Sequence, residues 1–363
     1  MVKQSYPRIE INLQYLKENV AAIVKRCADC GIKISGVIKG TTGIPQCAKM
    51  FQEGGVYGIA SSRLEQIEDA INEGIDLPML LLRVPMHSEV DEVVRLCDMS
   101  LNSEVSTLEL LNEAAAKQNK IHNVILMADL GDLREGFWDK DEMVKVATRV
   151  ENEWDNLHLS GVGTNLGCYG SIEATADKLD ELVAIAERIE KEIGRELEII
   201  SGGGTTSLPR VLLGDMPKRI NHLRVGEGIL LARDLDVFYG LDMSFMHQDV
   251  YTLKAEVIEV KDKPSHPVGK ISIDAFGHTP EYVDRGIRKR ALIGVGKVDY
   301  GSIDEIFPKD KGVEVIGASS DHTILDVEDA EREFKPGDIV SFGINYASIV
   351  YVTNCKNVQK VFV

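Results

Sequence analysis

From residue 34 onward the chain alternates short apolar runs with amphipathic helical stretches, and the alternation repeats eight times before it stops. The apolar runs fall at 34–39, 56–60, 78–84, 98–101, 123–129, 157–163, 196–201 and 220–225. They are mostly apolar, which is the pattern of parallel strands covered on both faces. Amphipathic helices are expected between them, for example over 62–73, 104–120 and 172–193, several preceded by Ser, Thr or Asn as capping residues. Eight such units predict a closed (β/α)8 barrel, an α/β fold. Before the first unit, Leu13, Leu16, Val20, Ile23 and Val24 follow Asn12 at helical spacing and predict a helix over 13–26. Residues 8–11 read as a separate short strand.

Past residue 235 the pattern changes to strands without long helices, at 251–260, 291–296, 313–316, 323–327, 339–342 and 348–353. Turns are marked by K-P-S-H-P, F-P-K-D-K-G and K-P-G-D. The expected organisation is a barrel over 1–235 and a mainly antiparallel β domain over 236–363. A length of 363 residues with 44% hydrophobic content supports two cores of this kind.

A formal net charge of −17 argues against a nucleic-acid or anionic-membrane surface, because either needs a basic face to offset phosphate. No apolar run approaches the roughly 20 residues that span a bilayer, and the N-terminus lacks a signal-like core, so a cytoplasmic protein is expected. Of six cysteines only Cys27 and Cys30 lie close together, with neither a second pair nor histidines at zinc-binding spacing. Reduced thiols and no metal site are expected.

Barrels of this type carry their sites at the C-terminal ends of the strands. Strand one delivers Lys39, in K-I-S-G-V-I-K-G-T-T-G, to the start of a glycine-rich turn. An amine at an apolar mouth has a lowered pKa and can form a Schiff base with a carbonyl compound, although a lysine snorkelling to solvent accounts equally well for that stretch alone. Strand seven runs into S-G-G-G-T-T-S from Ser201, and strand eight into R-V-G-E-G from Arg224. Glycines let backbone N–H groups approach phosphate oxygens, and threonine hydroxyls add donors. Arg224 and Arg134, the latter in D-L-G-D-L-R-E-G-F after strand five, point to the same mouth. Either arginine alone reads equally as a counter-charge to Asp129, Asp132 or Glu227. Taken together, one lysine, two arginines and two phosphate loops point to a phosphorylated aldehyde that bonds to lysine, namely pyridoxal 5'-phosphate.

Over nearly its whole length the chain resembles the alanine-racemase family of pyridoxal phosphate enzymes. The resemblance rests on I-E-I-N-L-Q-Y-L-K-E-N-V, G-V-I-K-G, V-Y-G-I-A-S-S-R-L-E-Q-I, D-L-G-D-L-R-E-G-F, G-V-G-T-N-L-G-C-Y-G, L-R-V-G-E-G, D-A-F-G-H-T-P-E-Y-V-D-R-G-I-R-K-R-A, G-A-S-S-D-H-T-I-L-D-V and I-N-Y-A. It implies that Lys39 carries the Schiff base and that Arg224 faces the pyridine nitrogen. Thr205, the backbone of Gly204, Gly226 and Glu227, and Tyr346 would hold the phosphate, with Ser201 in the same cofactor set. Asn165 takes the place beside the ring where alanine racemases carry histidine, and Arg134 lies on the substrate carboxylate side. The family builds its sites across a head-to-tail homodimer, so Asp321 would serve the partner subunit.

Three departures matter. Gly43 replaces a tyrosine that contacts phosphate in the family. Ser319 and Ser320 replace bulky residues before Asp321, leaving room for a substrate side chain longer than methyl, and Asp132 or Asp321 would pair with a terminal ammonium. Ornithine is therefore the expected amino acid and lysine the second. The tyrosine that serves the opposite face has no counterpart; its place falls on Asp274 or His278, and His278 is favoured because imidazole titrates near neutral pH. Arg224 leaves the pyridine nitrogen largely unprotonated, which suits reversible proton removal. An alanine racemase, a lyase of the same fold and a non-catalytic pyridoxal phosphate carrier are the competing readings.

Overall fold

The computed structural model describes residues 6–273, 277, 279 and 281–363. It divides into two compact units, Gln14–Gln248 and a second made of Met1–Leu13 with Asp249–Val363. In chain order the strands are β1 (Arg8–Ile11), β2 (Lys33–Val37), β3 (Gly58–Ser61), β4 (Met79–Leu81), β5 (Met99–Asn102), β6 (His122–Met127), β7 (Leu157–Gly163), β8 (Ile199–Ser201) and β9 (His222–Val225). Strands β2 to β9 form a closed parallel barrel, with β9 pairing back onto β2 at Ser35↔Arg224. The eight apolar runs thus become the eight barrel strands.

Val37, Ala60, Leu80, Met99, Leu101, Ile125, Met127 and Ile199 form a buried apolar cluster in the barrel. Polar side chains are also buried in this unit, among them two serine–histidine pairs: Ser100 Oγ lies 2.8 Å from His122 Nε2, and Ser35 Oγ lies 2.8 Å from His222 Nε2. Burial pushes His122 down to about 4 and His222 to about 3, so both rings are neutral.

The second unit holds β10 (Tyr251–Pro264), β11 (Ile287–Ile293), β12 (Ile306–Pro308), β13 (Glu314–Ala318), β14 (Thr323–Asp326), β15 (Ile339–Ile344) and β16 (Gln359–Phe362). Its strand order is β12-β15-β10-β11-β14-β13, all antiparallel, with β1 pairing antiparallel to β10 and parallel to β16. These pairings correct the expected division at residue 235. Strand β1 takes its backbone hydrogen bonds from β10 and β16, so the N-terminal segment belongs to the β unit, and the boundary lies between Gln248 and Asp249.

A strand expected over 348–353 is instead part of the helix Tyr346–Asn354. The β-branched run S-I-V-Y-V-T favours a strand by propensity, but its buried residues Ser348, Ile349, Val352 and Thr353 recur at helical spacing. Two hydroxyls support the helix. Ser348 Oγ donates to the Tyr300 carbonyl at 2.7 Å, and Thr353 Oγ1 to Ile349 one turn back at 2.7 Å.

Candidate active site

Strand β2 ends at Val37, and Lys39 sits in the one-turn 3-10 helix Ile38–Thr41 that follows, closed by Thr42 in the left-handed conformation. The side chain is exposed at the barrel mouth, and its Nζ makes no hydrogen bond or ion pair among the described residues. Its pKa is lowered, first by lost hydration and then by Arg134 and Arg224, while Cys168 and Glu135 oppose the shift. An unpartnered amine with a lowered pKa has more of its nucleophilic form near neutral pH.

Arg224 projects from β9 into the barrel and is 5% exposed. Its Nη1 donates to Ser201 Oγ, and its Nη2 donates to the Thr164 carbonyl at 2.7 Å and to Asn165 Oδ1 at 2.5 Å. Burial brings it to about 10, so it stays charged at neutral pH. Ser201 Oγ also lies 2.7 Å from His222 Nδ1. Because Ser201 accepts from Arg224, its own proton goes to Nδ1, which leaves the His222 Nε2–H to donate to Ser35. Arg224 is held from below by a neutral Ser201–His222–Ser35 chain that brings no counter-charge.

The two glycine loops meet beside Arg224. Thr205 Oγ1 accepts the Gly228 N–H at 3.0 Å and ties the loops together. A β-carbon on Gly204 would come within 2.8 Å of the Arg224 carbonyl oxygen, so only glycine fits there. Among the described residues, the N–H groups of Gly204, Thr205, Gly226 and Glu227 make no backbone hydrogen bond. Thr205 and Glu227 open short helices, where N–H groups have no intrahelical acceptor. Four free N–H groups and a threonine hydroxyl fit the oxygens of a phosphate. The Glu227 side chain does not take part, since it is 7% exposed and its Oε1 accepts from Arg233 N at 2.9 Å and Asp234 N at 3.3 Å. Among the described residues its Oε2 has no partner, and burial pushes the carboxyl up to about 7.

Arg134, after β6, is half-exposed; its Nε lies 2.8 Å from Glu135 Oε2 and its Nη2 3.5 Å from Cys168 Sγ. Asn165, after β7, accepts from Arg224 and donates through Nδ2 to Glu135 Oε1. Glu135 and Cys168 were absent from the expected set. A glutamate next to an arginine in sequence reads as a simple counter-charge, and nothing in the pattern shows that it also reaches Asn165, thirty residues away.

Asp132 does not fit a role as ammonium ligand. It is 1% exposed, and its carboxylate accepts from Cys168 N at 3.2 Å, Tyr169 N at 2.9 Å and Ile172 N at 3.3 Å. It is a strut between the loops after β6 and β7, because a buried carboxylate takes the nearest unpaired N–H groups.

In the β unit, Ser319, Ser320 and Asp321 form the tip of the β13–β14 hairpin. Lys297 N and Val298 N donate to the carbonyls of Ser319 and Ser320 at 3.0 and 3.1 Å. A β-carbon on Gly296 would overlap the Ser320 carbonyl, so that glycine permits the approach that leaves Asp321 exposed at the tip. Tyr346 is the first residue of its helix. Asp274 and His278 lie outside the described residues.

The model of the alanine racemase N-terminal domain matches residues 11–234. An ornithine racemase of Acetoanaerobium sticklandii is 38% identical over 358 residues, covering 98% of this chain and 99% of that relative. A lysine racemase of Thermotoga maritima is 39% identical over 357 residues, covering 98% of each. Among solved structures, alanine racemase from a D-cycloserine-producing Streptomyces lavendulae superposes with a TM-score of 0.77 at 18% identity, covering 99% of this chain and 98% of that one. At that identity the likeness shows the fold alone. D-threonine aldolase from Filomicrobium marinum shares the fold too, with a TM-score of 0.72 at 15% identity over 96% of this chain and 89% of that one. With the full-length identity to the two curated relatives and the match over the barrel, the chain belongs to the alanine racemase family.

Proposed function

We propose that this chain is a pyridoxal phosphate-dependent amino-acid racemase that interconverts L- and D-ornithine, with lysine as its second substrate. The observation that carries the reading is the amine of Lys39, which has no partner among the described residues and whose pKa is lowered by lost hydration and by Arg134 and Arg224, in a chain whose relatives are named for ornithine and lysine. Bound through Lys39, pyridoxal phosphate would supply the electron-withdrawing ring that acidifies the substrate α-hydrogen.

The protein's own groups do the rest. Gly204, Thr205, Gly226 and Glu227 donate N–H groups to the phosphate, and Tyr346 of the partner subunit adds a contact. Arg224 would donate a hydrogen bond toward the pyridine nitrogen and keep its proton, since at about 10 it stays charged at neutral pH. Arg134 offers a terminal nitrogen to the substrate carboxylate. Lys39, once displaced, holds and returns the α-proton on its own face. His278, or failing it Asp274, serves the other face.

Two copies complete each site, with Asp321 reaching the terminal ammonium of a substrate bound to the partner's barrel. Its exposure at a hairpin tip supports this, as do the large apolar side chains of Leu133, Trp138, Tyr169 and Phe238, each left exposed on the barrel unit, where a partner would cover them. No helix among the described residues is long and apolar enough to cross a membrane. Six free cysteines suit the reducing cytoplasm, where we place the reaction.

Chiral chromatography after incubation with L-ornithine, L-lysine and L-alanine in deuterated water tests the reading. Ornithine should become racemic with deuterium at Cα, and alanine should turn over more slowly. Faster alanine turnover, or loss of the amino or carboxyl group in place of inversion, would overturn it.

A further inference from the structure

We propose that Glu135 is a positioning residue that fixes the orientation of the groups on both sides of the site, the substrate-side Arg134 and the cofactor-side Asn165. The role on the substrate side rests on the racemase reading, whereas its hold on the two side chains is seen directly. One carboxylate oxygen lies 2.8 Å from Arg134 Nε, and the other accepts from Asn165 Nδ2. The side chain is 15% exposed, so these bonds are shielded from competing water.

An amide has two ends of nearly the same shape, and its neighbours decide which way it turns. Arg224 Nη2 can only donate, so Asn165 must present Oδ1 to it. That orientation holds only if the opposite end meets an acceptor, and an ionised carboxylate is acceptor-only. Glu135 thereby locks the amide against Arg224. The same carboxylate pairs with Arg134 at Nε while Nη2 rests on Cys168 Sγ, and Nη1, without a partner among the described residues, is left for an incoming carboxylate. A glutamine at this position would accept one partner and turn an NH2 group onto the other, setting donor against donor.

Glu135 also sets charge. The groups that act electrostatically on Lys39 are the cations Arg134 and Arg224 and the acids Cys168 and Glu135. The same two acids act on Arg224. Asp129 and Asp132 lie on the same loop, but their carboxylates are turned to backbone N–H groups. Removing the charge of Glu135 leaves Lys39 beside two cations, so its proton leaves at lower pH.

The test uses cofactor-free protein mixed with pyridoxal phosphate at a series of pH values. Borohydride then traps the Lys39 adduct for mass measurement, and ornithine kinetics are run in parallel. In Glu135→Gln the midpoint of trapping against pH should move to lower pH, and KM should rise on the order of tenfold or more, the weight of one charge-assisted hydrogen bond. Glu135→Asp keeps the charge but is one methylene short, so its midpoint should stay near wild type while KM still rises. A side chain that only supported the fold would not move the trapping midpoint while the charge-conserving variant leaves it in place. Either a wild-type midpoint or a wild-type KM in Glu135→Gln overturns the proposal. If the wild type turns over no amino acid, the racemase reading fails separately and the trapping midpoint still decides the role of Glu135.

Discussion

Asp132 offers a clear test of whether an acid near the mouth reads the substrate or builds the site. Its carboxylate gathers N–H groups from Cys168, Tyr169 and Ile172, and it has almost no exposed surface. In Asp132→Asn one oxygen becomes an NH2 group, so whichever way the amide turns, at least one of those N–H groups meets a donor. Hydrogen bonds to a charged group contribute about 1.5–3 kcal/mol each, and a stranded buried N–H costs about 1–3 kcal/mol. The bonds at 3.2 and 3.3 Å are longer than ideal and count for less than the one at 2.9 Å. The expected loss is therefore about 2–4 kcal/mol in the barrel unit, read by urea unfolding. A strut serves every substrate alike, so KM for ornithine and the inhibition constant of norvaline, which has the same chain without the terminal amine, should rise by the same factor. If Asp132→Asn weakened ornithine on the order of tenfold more than norvaline and left stability unchanged, Asp132 would be the ammonium ligand and the strut argument would fail.

Glu227 gives a pH signature. Its folded pKa of about 7 lies above the ordinary glutamate value of 4.5, so its contribution is present below pH 4.5 and is lost as pH rises through 7, by on the order of 3 kcal/mol. Glu227→Gln should flatten that slope in urea titrations at pH 5 and pH 8; an unchanged slope would mean the carboxyl is ionised in the folded state. Mixing Lys39→Ala protein with Asp321→Ala protein should recover part of the activity, because some hybrid dimers hold one intact site; no recovery once subunit exchange is verified counts against shared sites. His278→Ala should stop inversion while α-hydrogen exchange without inversion persists for one enantiomer, the one whose proton Lys39 handles. Equal loss for both enantiomers would point away from a face-specific role for His278.

Much of the architecture was legible because burial on both faces leaves a strong mark on sequence: all eight barrel strands were readable as short, mostly apolar runs between amphipathic helical stretches. The glycine loops after β8 and β9 were legible for a related reason, since few other residues leave backbone that close to a ligand. What failed to show was pairing at a distance. Strand β1 gives no hint in four residues that it completes a sheet with β10 and β16. The helix Tyr346–Asn354 is written in strand-favouring residues, and only its buried stripe reveals it. In the site, residue type was visible but engagement was not: Asp132 and Glu135 stand three residues apart in one loop, yet one is spent on backbone N–H groups and the other joins Arg134 to Asn165.

The central claim is that Lys39 is the covalent anchor. The direct measurement is borohydride reduction of the protein loaded with pyridoxal phosphate, followed by peptide mass mapping. The expected result is one cofactor mass on the peptide carrying Lys39, with no adduct and no turnover in Lys39→Ala. An adduct on a different lysine, or a Lys39→Ala protein that still racemises ornithine at the wild-type rate, would contradict the claim.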